Sequence, residues 1–163
     1  MSTDQKIISL SNLGIIVEKL KKEGKKIVAT NGAFDLLHIG QKRALEESKV
    51  LGDVLIVGIN SDFSVKQYKS ELRPIIPEAE RAELVAALAC VDYATIFDER
   101  DPVTFLKTVH PDVYTKGGDY TVEQNLAADF VRENVEKIVI IPGRVQSTTN
   151  VIEKILKIYK EKS

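Results

Sequence analysis

The residues able to do chemistry gather in a few short stretches. The densest is 25–45, KKIVATNGAFDLLHIGQKRAL, where an apolar run (27–29) stops at a Thr30-Asn31-Gly32 turn. Phe34-Asp35 and Leu36-Leu37-His38-Ile39-Gly40 follow and lead into a helix-compatible run. Strand, small-residue turn and helix start meet there, and backbone N–H groups with the helix dipole favour bound phosphate at such a junction. The stretch has neither the Gly-x4-Gly-Lys-Ser/Thr of a Walker loop nor the Gly-x-Gly-x-x-Gly of a dinucleotide fingerprint. An ordinary strand-to-helix junction with His38 as an incidental cap fits the spacing equally well.

Further along, Ser147, Thr148 and Thr149 stand where a last helix begins, either as a plain N-cap or as phosphate-binding hydroxyls. Arg144 lies three residues upstream, and guanidinium forks match phosphate oxygens. Lys66, Lys69 and Arg73 offer a second anion site or a solvated surface. Arg81 opens a helix beside the same edge, with Glu78, Glu80 and Glu83 near enough to pair with it. No nucleophile elbow, Cys/His pair or zinc-spaced cluster is present, and His110, before Pro111, reads as structural. Glycines, hydroxyls, one histidine and several cations suit phosphoryl or nucleotidyl transfer, which needs positioning and charge stabilisation more than a protein nucleophile.

The totals narrow the class. At 163 residues the chain is one domain by length, with 44% hydrophobic and 29% charged residues. A net charge of −1 gives no nucleic-acid or membrane-surface footprint, so any anion site is local. The single cysteine, Cys90, excludes an intrachain disulfide and sits in an apolar setting that reads as core. No run approaches a membrane span, and MSTDQKIISL lacks a signal-peptide pattern, which makes the cytoplasm the default.

The elements that must position these residues follow from periodicity. Leu13, Ile16, Val17 and Leu20 give a helix over 9–23, capped by Ser9 or Ser11 and ended by Gly24. Strands are expected at 25–30, 53–60, 93–97, 112–116 and 137–142, and helices at 40–51, 77–89, 102–110, 123–134 and from 147 to about 160. Within 77–89, Leu84, Val85 and Leu88 are expected on the buried side; 61–77 reads as irregular. Residues 1–24 then form an N-terminal helix packed on a domain spanning 25–163. Alternation of strands and helices predicts an α/β, doubly wound, mostly parallel five-stranded sheet. Its ligand belongs at the carboxyl ends of the strands, where loops 30–38, 60–73, 117–120 and 143–149 all fall.

TNGAFDLLHIGQ (30–41) resembles the T-x-G-x-F-D-x-x-H-x-G-H motif of the cytidylyltransferase-like nucleotidyltransferases, and Ser147-Thr148-Thr149 resembles that superfamily's second motif. VGINSDFSV (57–65), RPIIPEAERAELVAALACVDY (73–93) and KGGDYTVE (116–123) resemble the adenylyltransferase domain of ADP-heptose synthases. The resemblance implies a single-domain Rossmann-like nucleotidyltransferase fold and an ATP-dependent enzyme. In its reaction a sugar 1-phosphate, D-glycero-D-manno-heptose 1-phosphate in that branch, attacks the α-phosphate of ATP and releases pyrophosphate. It implies that Asn31, Gly32, Ala33, Phe34 and Gly40 line the nucleotide and that His38, Lys69 and the residue at position 41, Gln41, act catalytically, with Asp35, Arg73 and Arg81 toward the sugar phosphate. Lys66 is a weaker candidate beside Lys69. Gly117, Gly118 and Asp119 would face the nucleoside, and Arg144, Ser147, Thr148 and Thr149 the β- and γ-phosphates. Mg²⁺ would come with the nucleotide rather than from protein ligands. A homo-oligomer is common among such enzymes, and the two-domain synthases carry a kinase half, so the sugar phosphate would come from a separate enzyme.

One position departs from the pattern: the second motif histidine is Gln41. An amide donates a hydrogen bond but carries no positive charge. Losing one charge-assisted contact made in a transition state costs about 3 kcal/mol, roughly 10²–10³ in rate. Alternatives are therefore a glycerol- or ethanolamine-phosphate cytidylyltransferase, a nucleotide-binding homologue weakened in turnover, and a flavodoxin-like module without nucleotide.

Overall fold

The structure, a computed structural model, describes residues 1–117, 128–142 and 148–160. In chain order it contains α1 (Thr3–Lys6), α2 (Leu10–Lys22), β1 (Ile27–Gly32), α3 (Ile39–Lys49), β2 (Val54–Asn60), α4 (Asp62–Tyr68) and α5 (Glu78–Ala86). It continues with β3 (Tyr93–Phe97), α6 (Val103–Val109), β4 (Val113–Gly117), α7 (Ala128–Asn134), β5 (Lys137–Ile141) and α8 (Thr148–Lys160). The strands form one sheet of order β3-β2-β1-β4-β5, parallel at every pairing. This is the doubly wound α/β architecture that the alternation of elements predicts.

The sheet is covered on both faces, which is why all seven residues of β2 are buried and its sequence reads as a continuous apolar run. On one face Leu13 and Val17 of α2, Phe105, Leu106 and Val109 of α6, and Val131 of α7 pack on Ile27, Ala29, Ile56 and Tyr114. On the other, Leu45 of α3 and Ala82, Val85 and Ala86 of α5 pack on Val28, Leu55, Val57 and Val113. Gly24 ends α2 with φ +70°, a conformation side-chain-bearing residues rarely adopt. Three aspartates just before strands stitch the amino edge. Asp53 accepts from Lys26 N at 2.8 Å, Asp92 from Leu55 N at 2.7 Å and Asp112 from Ile27 N at 2.6 Å.

Several details differ from the sequence reading. Thr30-Asn31-Gly32 is not a turn but the end of β1, because Asn31 and Gly32 pair with Gly58 and Ile59 of the longer β2. The chain leaves the sheet two residues later, through Phe34 at φ 49°. The irregular segment hides α4, whose N-terminus is capped by Ser61 Oγ accepting from Ser64 N at 3.1 Å. Leu84 is 47% exposed, since α5 turns Arg81, Ala82, Val85 and Ala86 inward and the intervening position faces out. Cys90 is half-buried rather than core, and that burial raises its thiol pKa. The N-terminal 24 residues hold two helices, and between them Ile7 bridges Ala94, covering the edge of β3.

Candidate active site

Strand order reverses at β1, whose neighbours β2 and β4 lead to opposite sides of the sheet. The crevice at the carboxyl end of such a switch point is the default ligand position of an open α/β sheet. Thr30, at the last full turn of buried sheet there, donates its hydroxyl to Thr115 O at 2.9 Å. Next to it Asn31 Oδ1 accepts from Tyr114 Oη at 2.5 Å and from Lys116 Nζ at 3.0 Å. Burial of the Lys116 ammonium pulls its pKa down to about 8.

Gly32, Ala33 and Phe34 carry the chain from β1 toward α3. The Phe34 ring is buried in the core and closes over Gly32, where a Cβ would lie 3.3 Å from it. His38 is the N-cap of α3 and Gly40 lies in its first turn. The imidazole Nδ1 is buried without a hydrogen-bond partner, and burial lowers the ring's pKa below 6.5. At neutral pH it is therefore the uncharged imidazole, with a donor or acceptor to spare. Gln41 occupies the third helical position, and its Oε1 accepts from His38 N at 3.1 Å. The residue that breaks the family pattern thus holds the histidine's backbone in a capping box.

The loop after β2 is organised by two buried charges. Asp35, with 1% of its side chain exposed, accepts from Ile75 N at 2.8 Å, Ile76 N at 2.9 Å and Arg73 Nε at 2.6 Å. Arg81 is fully buried. It donates to Ile76 O at 2.8 Å, Asn60 O at 2.8 Å and Asp62 Oδ1 at 2.7 Å, and also to Ala33 O. Together they pin the 73–77 segment and the start of α4 against the chain leaving β1.

Three of the expected site residues meet protein partners in this geometry. Arg81 does not present a phosphate-binding face, because every guanidinium nitrogen meets a protein acceptor and none of the side chain is exposed. Asp35 spends its oxygens on loop backbone and on Arg73 rather than on a sugar. Arg73 turns inward to Asp35 instead of joining the loop lysines. Lys66 and Lys69 stay exposed, with Lys69 Nζ 5.8 Å from the Tyr68 ring centroid. Of the three loop cations, Arg73 alone is paired with Asp35. Gly117 ends β4 and is exposed, and Thr148 and Thr149 begin α8. Gly118, Asp119, Arg144 and Ser147 lie outside the described residues.

Sequence reasoning missed Lys116 and Tyr114. Lys116 was legible as the one charge in β4, placed at the ligand edge immediately before glycines. Among the described residues, no three or more His, Cys, Asp or Glu are placed to hold a metal. Among the same residues, no helix is long and apolar enough to cross a membrane.

A parallel sheet with a histidine-capped helix at its switch point belongs to the nucleotide-handling α/β class. The chain is a member of the cytidylyltransferase-like family, whose model matches residues 29–158. It is 50% identical over 162 residues to the bifunctional protein HldE of Geobacter metallireducens, covering 98% of this chain and 33% of that protein. The bifunctional protein HldE of Geobacter sulfurreducens is 44% identical over 161 residues, 97% of this chain and 32% of its own length. The chain thus spans about a third of the length of the curated relatives it matches. The lipopolysaccharide core biosynthesis protein from Thermoplasma volcanium superposes with TM-score 0.61 at 30% identity, over 76% of this chain and all of that one. Pantoate-beta-alanine ligase from Francisella tularensis, TM-score 0.63 at 18% identity over 86% of this chain and 67% of that chain, shares the fold. Family and relatives indicate a nucleotidyltransferase with a nucleotide substrate.

Proposed function

We propose that this domain transfers AMP from ATP to a sugar 1-phosphate, D-glycero-D-manno-heptose 1-phosphate in the first instance, forming an ADP-sugar and pyrophosphate. A sugar-phosphate oxygen attacks the α-phosphorus, and the bond to the β-phosphate oxygen breaks with its electron pair leaving on pyrophosphate. The observation that carries the reading is the buried, unpartnered Nδ1 of His38 beside the switch point. As N–H it would donate to the phosphates while negative charge shifts onto the leaving group. The likeness to lipopolysaccharide and HldE proteins supports the heptose choice.

Backbone groups from Asn31 to Phe34 and Gly40 would line the nucleotide, and Gly117, Gly118 and Asp119 the nucleoside. Arg144, Ser147, Thr148 and Thr149 would hold the β- and γ-phosphates. Exposed Lys69 would reach the site by loop movement, and Arg73 would shape the sugar-phosphate pocket through Asp35. The donor set described here offers no carboxylate cage, so Mg²⁺ would enter as part of the MgATP substrate. A cytoplasmic homo-oligomer is the form we expect.

A second reading, nucleotide binding with little turnover, rests on Gln41 in place of the second motif histidine. Pyrophosphate release, measured for each nucleoside triphosphate against a panel of sugar 1-phosphates, separates these. The proposal expects ATP with a heptose 1-phosphate to lead. Faster release with CTP would overturn the adenylyl assignment, and ATP binding without release for any sugar would favour the second reading.

A further inference from the structure

The last helix, α8, is 13 residues long and buries none of them. With 3.6 residues per turn, Val151, Ile152, Ile155, Leu156, Ile158 and Tyr159 share an arc of about 160°. Every charged residue of the helix, Glu153, Lys154, Lys157 and Lys160, lies outside that arc. Val151 and Ile152, near its start, are half-buried, whereas Ile155, Leu156, Ile158 and Tyr159 are 45, 51, 44 and 66% exposed. An apolar stripe of this kind is ordinarily the face a helix buries, and a contiguous exposed one marks an interaction surface.

The flanking charges indicate what covers it. Glu153 and Lys160 are two helical turns apart and so border the same side of the arc, with their midpoint inside the exposed run 155–159. A second α8 laid antiparallel about that midpoint sets Ile155 level with Ile158 of the other copy. It also sets Glu153 level with Lys160 of the other copy, once at each end of the seam. Unlike charges then meet on the rim of an apolar contact, and the two helix dipoles oppose. A parallel pairing would set glutamate against glutamate and lysine against lysine. The same patch serves both partners, as a two-fold contact requires. The helix is about 20 Å long, so one helix pair stays below the roughly 1,200 Å² of a standard interface and belongs to the weak, concentration-dependent class.

We propose that α8 is a homodimer contact. Two copies of this chain pair antiparallel through Ile155, Leu156, Ile158 and Tyr159, with Glu153 facing Lys160 of the other copy at both ends. The pairing stands independently of the transfer reaction proposed above.

Sedimentation equilibrium of the whole chain, from about 1 to 200 μM, tests it. Wild type is expected to be a reversible monomer–dimer mixture with a Kd of roughly 1–100 μM. Leu156→Glu places a charge in the seam and is expected to be monomeric throughout, with unchanged far-UV circular dichroism. Glu153→Lys and Lys160→Glu should each raise Kd about fivefold at low salt, because two exposed pairs become like-charged. The double variant Glu153→Lys/Lys160→Glu should recover the wild-type Kd. Its recovery cannot arise within one helix, where the two positions stand about 11 Å apart along the axis. A wild type monomeric at the highest concentration, a dimer that Leu156→Glu leaves intact, or a double reversal without recovery would each overturn the proposal. So would a monomeric wild type that sediments with phosphatidylglycerol vesicles and not with phosphatidylcholine ones, which assigns α8 to an anionic lipid surface. If Leu156→Glu does not fold, the charge-reversal series decides, since Glu153 and Lys160 are both exposed.

Discussion

Gln41 sits where a capping interaction and the proposed catalytic one overlap, and substitution can separate them. Its Oε1 accepts from His38 N at 3.1 Å at the start of α3. Gln41→Ala removes that acceptor, and losing a cap of this kind costs about 1 kcal/mol. For a chain of 163 residues this corresponds to a fall in Tm of roughly 2–4 °C. Gln41→Glu retains an acceptor and adds a negative charge in the first turn, where the helix dipole contributes about 0.3–1 kcal/mol of stabilisation. Its stability should match or exceed wild type. Near a triphosphate the same carboxylate repels substrate, so its activity should fall by roughly 10²-fold or more. Gln41→His loses the carbonyl acceptor and about 1 kcal/mol, yet offers a second imidazole to the phosphates and should raise kcat. Thermal unfolding and pyrophosphate-release kinetics on the four proteins read the two axes separately. Activity that simply tracks Tm across the series would refute the reasoning, because Gln41 would then act on the site through helix stability alone.

Three other outcomes follow from the geometry. Arg81→Met should destabilise the fold by about 3–5 kcal/mol in denaturant titration, since it strands the carbonyls of Ile76, Asn60 and Ala33 and the Asp62 carboxylate. A loss below about 1 kcal/mol would restore Arg81 as an available cation. Asp35→Ala should free the 73–77 segment, raising KM for the sugar phosphate well above any change in KM for ATP; an unchanged sugar KM would place that loop away from the pocket. Lys116→Met should be more stable than wild type below pH 8, because burial holds the folded-state ammonium at about 8 against an ordinary 10.5. That difference corresponds to at most about 3 kcal/mol, reduced by the lost bonds to Asn31. The advantage should shrink as pH rises from 8 to 10.5 and both states of the wild type lose their proton. Denaturant midpoints across that range check it, and an advantage that grows with pH would contradict the sign.

The sheet was legible because fully buried parallel strands write themselves as continuous apolar runs, as in 54–60, separated by helical periodicity and glycines. Local rules served where they act alone: Ser9 accepts from Asn12 N to cap α2, and Gly24 closes it. They served less well where tertiary contacts intervene. Thr30-Asn31-Gly32 has turn chemistry, but the neighbouring strand holds it in the ladder. Arg81 and Arg73 have the composition of phosphate ligands, yet each is consumed by a partner distant in sequence, Asp62 and Asp35, which no spacing rule connects. Gln41 could be read in sequence only as a missing histidine, because its bond to His38 N becomes visible with the helix start in place. Lys116 was passed over because it continues a strand by pattern, and its burial depends on what packs around β4.

The claim that a sugar-phosphate oxygen attacks the α-phosphorus is tested most directly with isotope. Sugar 1-phosphate carrying ¹⁸O in its phosphate is incubated with MgATP, and the products are read by ³¹P NMR. One pyrophosphate is expected per nucleotide sugar, with all of the label retained in the nucleotide sugar and the attacking labelled oxygen found as the bridge between its two phosphorus atoms. Label in pyrophosphate, or ATP bound with no nucleotide sugar formed, would contradict it.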